Sequence, residues 1–192
     1  YLLPLSQLVD ASSDEVQAVV VVPGRELALQ SANVLKDMGS GLRGMACYGG
    51  RPTMDEHRKL REVKPQIVFA TPGRLNDHLD KLNIIADNIK YLVLDEFDKC
   101  LEMGFHDEMQ ALISKLPHDV RSVLLSATPA EELKDQKIIN SKFTTLNFLP
   151  EEEQVQQAPE RQVVRQRPGE QPPHLAPQQR LGGVREGADR AR

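Results

Sequence analysis

Tyr91-Leu92-Val93-Leu94-Asp95-Glu96-Phe97-Asp98 is the stretch that decides the fold. An apolar run leads straight into three carboxylates. The run reads as a strand buried on both faces, as strands of a parallel sheet are. The carboxylates then fall at its carboxyl end, where open α/β sheets place their ligands. Three acids this close together repel one another. A hard cation such as Mg²⁺ relieves that repulsion, because it is commonly held by one or two carboxylates together with substrate phosphates. The stretch therefore points to a nucleotide–Mg²⁺ site. A plainer reading accounts for the same residues: a strand entering an acidic helix start, where the dipole favours Asp and Glu.

The pattern recurs outward from this strand. Residues 17–22, 44–48, 66–70 and 121–125 read as further strands, and 143–148 as a last one. Helices are expected over 2–9, 23–38, 54–63, 72–82, 106–116 and 129–139. Strands alternating with helices at this spacing give an α/β fold, a parallel sheet with right-handed crossovers. All strand ends then face one rim. Four of them run into unusual polar residues: Pro23-Gly24-Arg25-Glu26, Thr71-Pro72-Gly73-Arg74, Asp95-Glu96-Phe97-Asp98 and Ser126-Ala127-Thr128.

Two of these turns favour anions. Thr71 suits an N-cap, and Pro72 suits the first helical position, where a missing N–H costs nothing. Gly73 lets another backbone come close. The unpaired N–H groups of a helix start, with Arg74 beside them, can bind a phosphate. Pro23-Gly24-Arg25 repeats the arrangement, and Gly49-Gly50 adds a third bare-backbone point. Three such points in a row suit a sugar–phosphate backbone better than one mononucleotide. Taken singly, each is also ordinary capping and turn chemistry, with Arg25 and Arg74 free to pair with Glu26 or Asp77.

Composition sets the bounds. A chain of 192 residues, 40% of them hydrophobic, holds one domain of ordinary size with something appended. A net charge of −4 leaves no global footprint for nucleic acid, so such binding rests on local sites. Cys47 and Cys100 lie far apart in no metal spacing. They read as reduced core residues of an intracellular, cytoplasmic protein, with an organelle left open. The histidines, His57, His78, His106, His118 and His174, also fall in no metal spacing and read as surface or packing residues. No run is long enough to span a membrane. The chain opens in mid-pattern at Tyr1-Leu2-Leu3-Pro4-Leu5 without Met, as a fragment would.

Taken in order, Pro23-Gly24-Arg25-Glu26-Leu27-Ala28, Gly49-Gly50, Thr71-Pro72-Gly73-Arg74, Asp95-Glu96-Phe97-Asp98 and Ser126-Ala127-Thr128 resemble the first RecA-like domain of a DEAD-box RNA helicase. The resemblance covers residues 1–150. It implies a RecA-like parallel sheet flanked by helices, incomplete at its N-terminus, and it implies ATP and Mg²⁺. Asp95 would hold Mg²⁺ through water and Glu96 would polarise the attacking water. Asp98 would connect to Ser126 and Thr128 to couple hydrolysis to strand separation. Pro23, Gly24, Arg25, Gly49, Gly50, Thr71, Pro72, Gly73 and Arg74 would grip the RNA backbone with little sequence preference.

Three departures from the family stand out. Phe97 occupies a position where the family has Ala, and its ring is expected to pack under the next helix against Leu101 or Phe105. Gly24 stands where the family usually has Thr. No Walker A loop, G-x-x-x-x-G-K-[ST], occurs in the chain. Nor do the adenine-recognising segment and the second RecA-like domain, which supplies arginines to the phosphates. Without the loop's lysine and backbone cradle, the ATP phosphates have few groups left to hold them. The parent protein is thus expected to be an ATPase, and this chain by itself not. The alternatives are a non-catalytic RNA- or protein-binding module, and a piece of another RecA-like nucleic-acid ATPase such as a DNA helicase.

Residues 151–192 differ in kind. They hold no Lys and no aromatic residue, their bases are all Arg, and Pro and Gln recur. Too few apolar residues are present to offset the entropy of ordering, so disorder is expected. The stretch reads either as a native Arg/Pro/Gln-rich extension or as a shifted reading frame beginning between Gln156 and Pro159.

Overall fold

The structure, a computed structural model, describes residues 1–127 together with positions 144 and 146. The expected helix over 129–139 and the tail lie outside the described residues, as does the expected strand over 143–148 apart from positions 144 and 146, which are not in strand conformation.

The elements follow the sequence closely. In chain order they are α1 (Leu2–Leu8), β1 (Ala18–Val21), α2 (Arg25–Asp37), β2 (Gly44–Cys47), α3 (Thr53–Val63), β3 (Ile67–Ala70), α4 (Pro72–Asp80), a short 3₁₀ turn (Ala86–Asn88), β4 (Tyr91–Leu94), α5 (Phe97–Glu102), α6 (His106–Lys115) and β5 (Arg121–Leu124). The helix α5 bears out the plainer reading of this stretch, a strand entering an acidic helix start, although its extent was not foreseen. Six residues are too few for a 3.6-residue period to show, and its carboxylates masked its apolar side.

The strands form one parallel sheet in the order β2-β3-β1-β4-β5. The chain starts near the centre, runs out to β2, returns through β3, then steps past β1 to β4 and β5. The first connection runs toward one edge and the later three toward the other. With a constant crossover hand, the helix of the first connection must lie on the opposite face from the rest. It does. Val20 and Val22 pack with Ala28 and Leu35 of α2 and with Leu5 of α1. Val19 and Val21 pack on the other face with Leu60, Leu75, Leu79, Phe97, Met109 and Leu112, from α3 to α6. Because successive strand residues point to opposite faces, this three-layer arrangement needs β1 and β3 to be apolar at every position, and all of their residues are buried.

Two details fix the layers. An added Cβ at Gly44 would lie 2.7 Å from Cδ2 of Leu35 and 3.2 Å from Phe69, so the bare backbone there lets α2 sit close against β2. At the amino ends of the strands, the buried side chain of Gln66 donates to the carbonyls of Ala11 and Ser13 and accepts from the N–H of Arg43. Gln17 does the same for Asp10. These amides, themselves buried, find their partners in loop backbone groups and so tie the loops to the strand ends.

Candidate functional site

The sheet register aligns the strand ends. Cys47 pairs with Ala70, Ala70 with Val21, Val21 with Leu94 and Leu94 with Leu124. These residues form one row, and every polar motif begins within two residues of it. The motifs therefore share one rim. Their order along it follows the strands, not the chain: Gly49-Gly50, Thr71-Pro72-Gly73-Arg74, Pro23-Gly24-Arg25, Asp95-Glu96-Phe97-Asp98, then Ser126. Neighbouring strands stand about 4.8 Å apart. The bare-backbone turns thus occupy one contiguous half of the rim and the carboxylates the other.

In the carboxylate half, Asp95 is half-buried and accepts the N–H of Glu96 at 3.0 Å. Glu96 is exposed and adopts φ 47°, ψ 50°, a left-handed conformation that costs a non-glycine residue of the order of 1 kcal/mol. That conformation ends β4 abruptly and starts α5. Asp98 lies in the first turn of α5 and is buried. Among the described residues neither Asp95 nor Glu96 forms an ion pair, and the adjacent Lys99 is bound to Glu102 at 2.8 Å. The Cys100 thiol is pushed up to about 12, first by burial and then by the negative field of Glu96, Asp95 and Asp98. Three oxygen-donor groups placed this close together suit a hard divalent cation. Phe97 is fully buried in the same apolar cluster as Leu101, with Phe105 packed against it, so the ring packs as the sequence led one to expect. Ser126 follows β5 and is half-buried, while Thr128 lies outside the described residues.

In the bare-backbone half, Gly49, Gly50 and Gly73 are exposed, and a Cβ built on any of them would meet nothing within 4 Å. Gly50 has φ +87°, which a side chain would strain. Thr71 and Gly24 stand at the N-cap positions of α4 and α2, and Pro72 at the first helical position. The Thr71 hydroxyl makes no capping bond, so the N–H groups at the start of α4 face outward without a side-chain acceptor. Pro23 is buried beneath the start of α2. Arg25 is exposed and meets Glu26 at 3.1 Å, a surface pair of little energetic weight.

Arg74 is placed differently from expectation. Its side chain is only 9% exposed and turns inward, with Nη1 donating to Thr53 Oγ1 at 3.0 Å and Nη2 to the Arg51 carbonyl at 2.7 Å. The reason is Glu56 on α3, whose Oε2 lies 3.6 Å from Nη1. His78 takes the packing side of its surface-or-packing reading. It is fully buried, with Nε2 2.8 Å from the same Oε2. With Cys47 these residues bring possible ligand atoms within 4.8 Å of one another. Arg51, its guanidinium 5.1 Å from the Tyr48 ring centroid, adds a cation beside Gly49-Gly50. Glu56 lay hidden in a helix that reads as merely charged. The signal for Arg51 was its place directly after the glycines.

The pattern of the DEAD/DEAH box helicase family matches residues 1–136. The ATP-dependent RNA helicase CshA of Limosilactobacillus reuteri is 39% identical over 136 residues, which are 69% of this chain and 27% of that protein. Eukaryotic initiation factor 4A-3 of Nicotiana plumbaginifolia is 39% identical over 145 residues, 74% of this chain and 36% of the relative. The solved DEAD box protein from the hyperthermophile Methanococcus jannaschii superposes with a TM-score of 0.63 at 33% identity, covering 69% of this chain and 36% of its own. Mss116p, solved bound to ssRNA and AMP-PNP, gives 0.63 at 32% identity, covering 73% and 31%. The chain thus spans about a third or less of the length of these proteins. Five motifs on one rim, a RecA-like sheet and a family match over more than half the sequence lead to one assignment: the chain belongs to the DEAD/DEAH box helicase family.

Proposed function

We propose that this chain supplies the RNA-gripping half and part of the ATP-hydrolysing half of an ATP-dependent RNA helicase. The observation that carries the reading is the shared row of strand ends, which separates bare-backbone turns from carboxylates along one edge. Gly49, Gly50, Thr71, Pro72 and Gly73, with Pro23, Gly24 and Arg25, hold a single RNA strand by its phosphates. Backbone N–H donors carry no base preference, so binding is nearly independent of sequence. Asp95 is the residue that would hold Mg²⁺, through water. Bound Mg²⁺–ATP supplies the phosphoryl group and the driving force. Glu96 accepts the proton of the attacking water, and its exposed, re-aimed carboxylate suits that task. Asp98, with Ser126 and Thr128, links hydrolysis to the separation of RNA strands. An intracellular setting accords with this reading.

By itself the chain binds RNA without turning over ATP, since its sequence has no Walker A loop to cradle the phosphates. That same feature favours a second reading, a non-catalytic RNA-binding module. The experiment that separates them is RNA-stimulated ATP hydrolysis, measured on this chain and on the chain joined to a Walker A segment and second RecA-like domain from a relative. Turnover by the joined protein alone, lost in Glu96→Gln, supports the helicase reading. Turnover by this chain alone overturns the need for the loop, and an inactive joined protein favours the binding module.

A further inference from the structure

Behind the bare-backbone half of the rim lies a buried polar knot centred on Glu56, which is 4% exposed. Its Oε1 accepts the N–H of Tyr48, the residue just before Gly49-Gly50, at 3.1 Å. Its Oε2 faces Nε2 of His78 at 2.8 Å and Nη1 of Arg74 at 3.6 Å. The side-chain amide of Asn83 meets the other imidazole nitrogen at 3.1 Å. With that amide donating, the imidazole proton sits on Nε2, and Glu56 accepts it. Arg74 reaches onward to Thr53 and to the Arg51 carbonyl, on the far side of the glycine turn. One carboxylate thus ties the end of β2 to the first and second turns of α4.

A buried carboxylate is costly to desolvate, and an apolar side chain would join the same layers at less cost. The knot also suits a metal poorly. Cys47, Glu56 and His78 cluster closely, but the shared oxygen already faces a guanidinium, which opposes a second cation.

We propose that Glu56 is a positioning residue, which fixes the Gly49-Gly50 turn relative to the Thr71–Gly73 helix start so that both hold one RNA strand as a unit. This rests on the RNA-binding reading above. Arg74 acts within the knot, as the arm that keeps the turn in place from its outer side.

The test uses the full chain with Glu56→Gln, which keeps an acceptor for Tyr48 but loses the charge, and Glu56→Leu, which fills the space without polar groups. Affinity for a single-stranded oligoribonucleotide is followed by fluorescence anisotropy against salt, well below the lowest melting temperature. Amide exchange is followed at Tyr48–Gly50 and at Gly73. The expected result is about a tenfold loss of affinity. Exchange at Tyr48–Gly50 becomes faster. A purely structural Glu56 would lower the melting temperature and leave both the RNA affinity of the folded variants and the exchange at Tyr48–Gly50 unchanged, and that outcome overturns the proposal. If the wild-type chain binds no RNA, the RNA-binding reading fails by itself. The exchange data then decide the coupling: faster exchange at both turns in Glu56→Leu supports it, and unchanged exchange refutes it.

Discussion

Val21 and Leu94 lie side by side as the last paired residues of β1 and β4, and the chain leaves them toward opposite faces of the sheet. After Val21 it enters α2 on one face, and after Leu94 it enters α5 on the other. Such a divergence opens a crevice at the carboxyl end of a parallel sheet. Pro23-Gly24 borders it on one side and Asp95-Glu96 on the other.

The first prediction concerns the carboxylates at this crevice. Glu96 is exposed and forms no ion pair among the described residues, so Glu96→Gln leaves stability nearly unchanged. In the protein joined to a Walker A segment and second domain, the same change lowers ATP turnover by about 10²–10⁴-fold, the usual weight of a general base. Steady-state kinetics beside thermal melting checks both parts. A large fall in melting temperature would show that Glu96 is structural.

A second prediction separates stability from binding at Gly73. This residue lies in the first turn of α4, its φ is not positive, and a Cβ there meets nothing within 4 Å. Gly73→Ala therefore stabilises the fold by about 0.5–1 kcal/mol through helix propensity and a less flexible unfolded chain. On the proposed RNA-gripping role of this turn, the added methyl stands where a phosphate would approach the backbone. Affinity for single-stranded RNA falls while the melting temperature rises. If affinity holds as the melting temperature rises, RNA does not reach this turn.

Much of this arrangement was readable before the structure. The strands β1, β3 and β4 announce themselves because a strand covered on both faces must be apolar at every residue, as in Val19-Val20-Val21-Val22. The shared rim followed from a parallel sheet. The order of motifs along the rim did not, because β1 lies between β3 and β4 only once the crossovers are placed. Arg74 was read as a phosphate-binding group or a partner of Glu26 or Asp77, and its contact with Glu56 was missed because Glu56 sits on a different helix in a stretch that reads as solvated charge. His78 was read as a surface or packing residue, and its polar partners stayed hidden for the same reason: they are supplied by α3 and by Asn83, and neither its own period nor its neighbours in sequence reveal them.

Phe97 gives a third prediction. The ring is fully buried in the cluster of α5 and α6 with Leu101 and Met109. Phe97→Ala, which restores the residue the helicase motif usually carries, opens a cavity and destabilises the chain by about 3–5 kcal/mol. Denaturant unfolding measures it. A cost under about 1 kcal/mol would mean that the surrounding helices close over the space.

The last prediction follows from the two thiols. Cys47 and Cys100 are both buried and free. Burial pushes Cys100 from its ordinary 9.0 up to about 12, and pushes Cys47 higher still, with Glu56 adding to the effect. Below pH 9 both folded and unfolded chains hold these protons, and the contribution to stability is at its full value. Between pH 9 and about 12 the unfolded chain releases them while the folded chain retains Cys100's, so stability falls as pH rises. Each thiol accounts for about 1.4 kcal/mol per pH unit in that window. Melting temperatures taken from about pH 8 to pH 10.5 fall more steeply for the wild type than for a Cys47→Ala, Cys100→Ala double variant. Iodoacetamide at pH 8 labels the native chain slowly and the urea-unfolded chain fast, because only the thiolate reacts. Equal alkaline slopes for the two proteins, or rapid labelling of the native chain, would show that these thiols are open to solvent and that the layers around β2 and α5 are less closed than the packing of Cys47 and Cys100 requires.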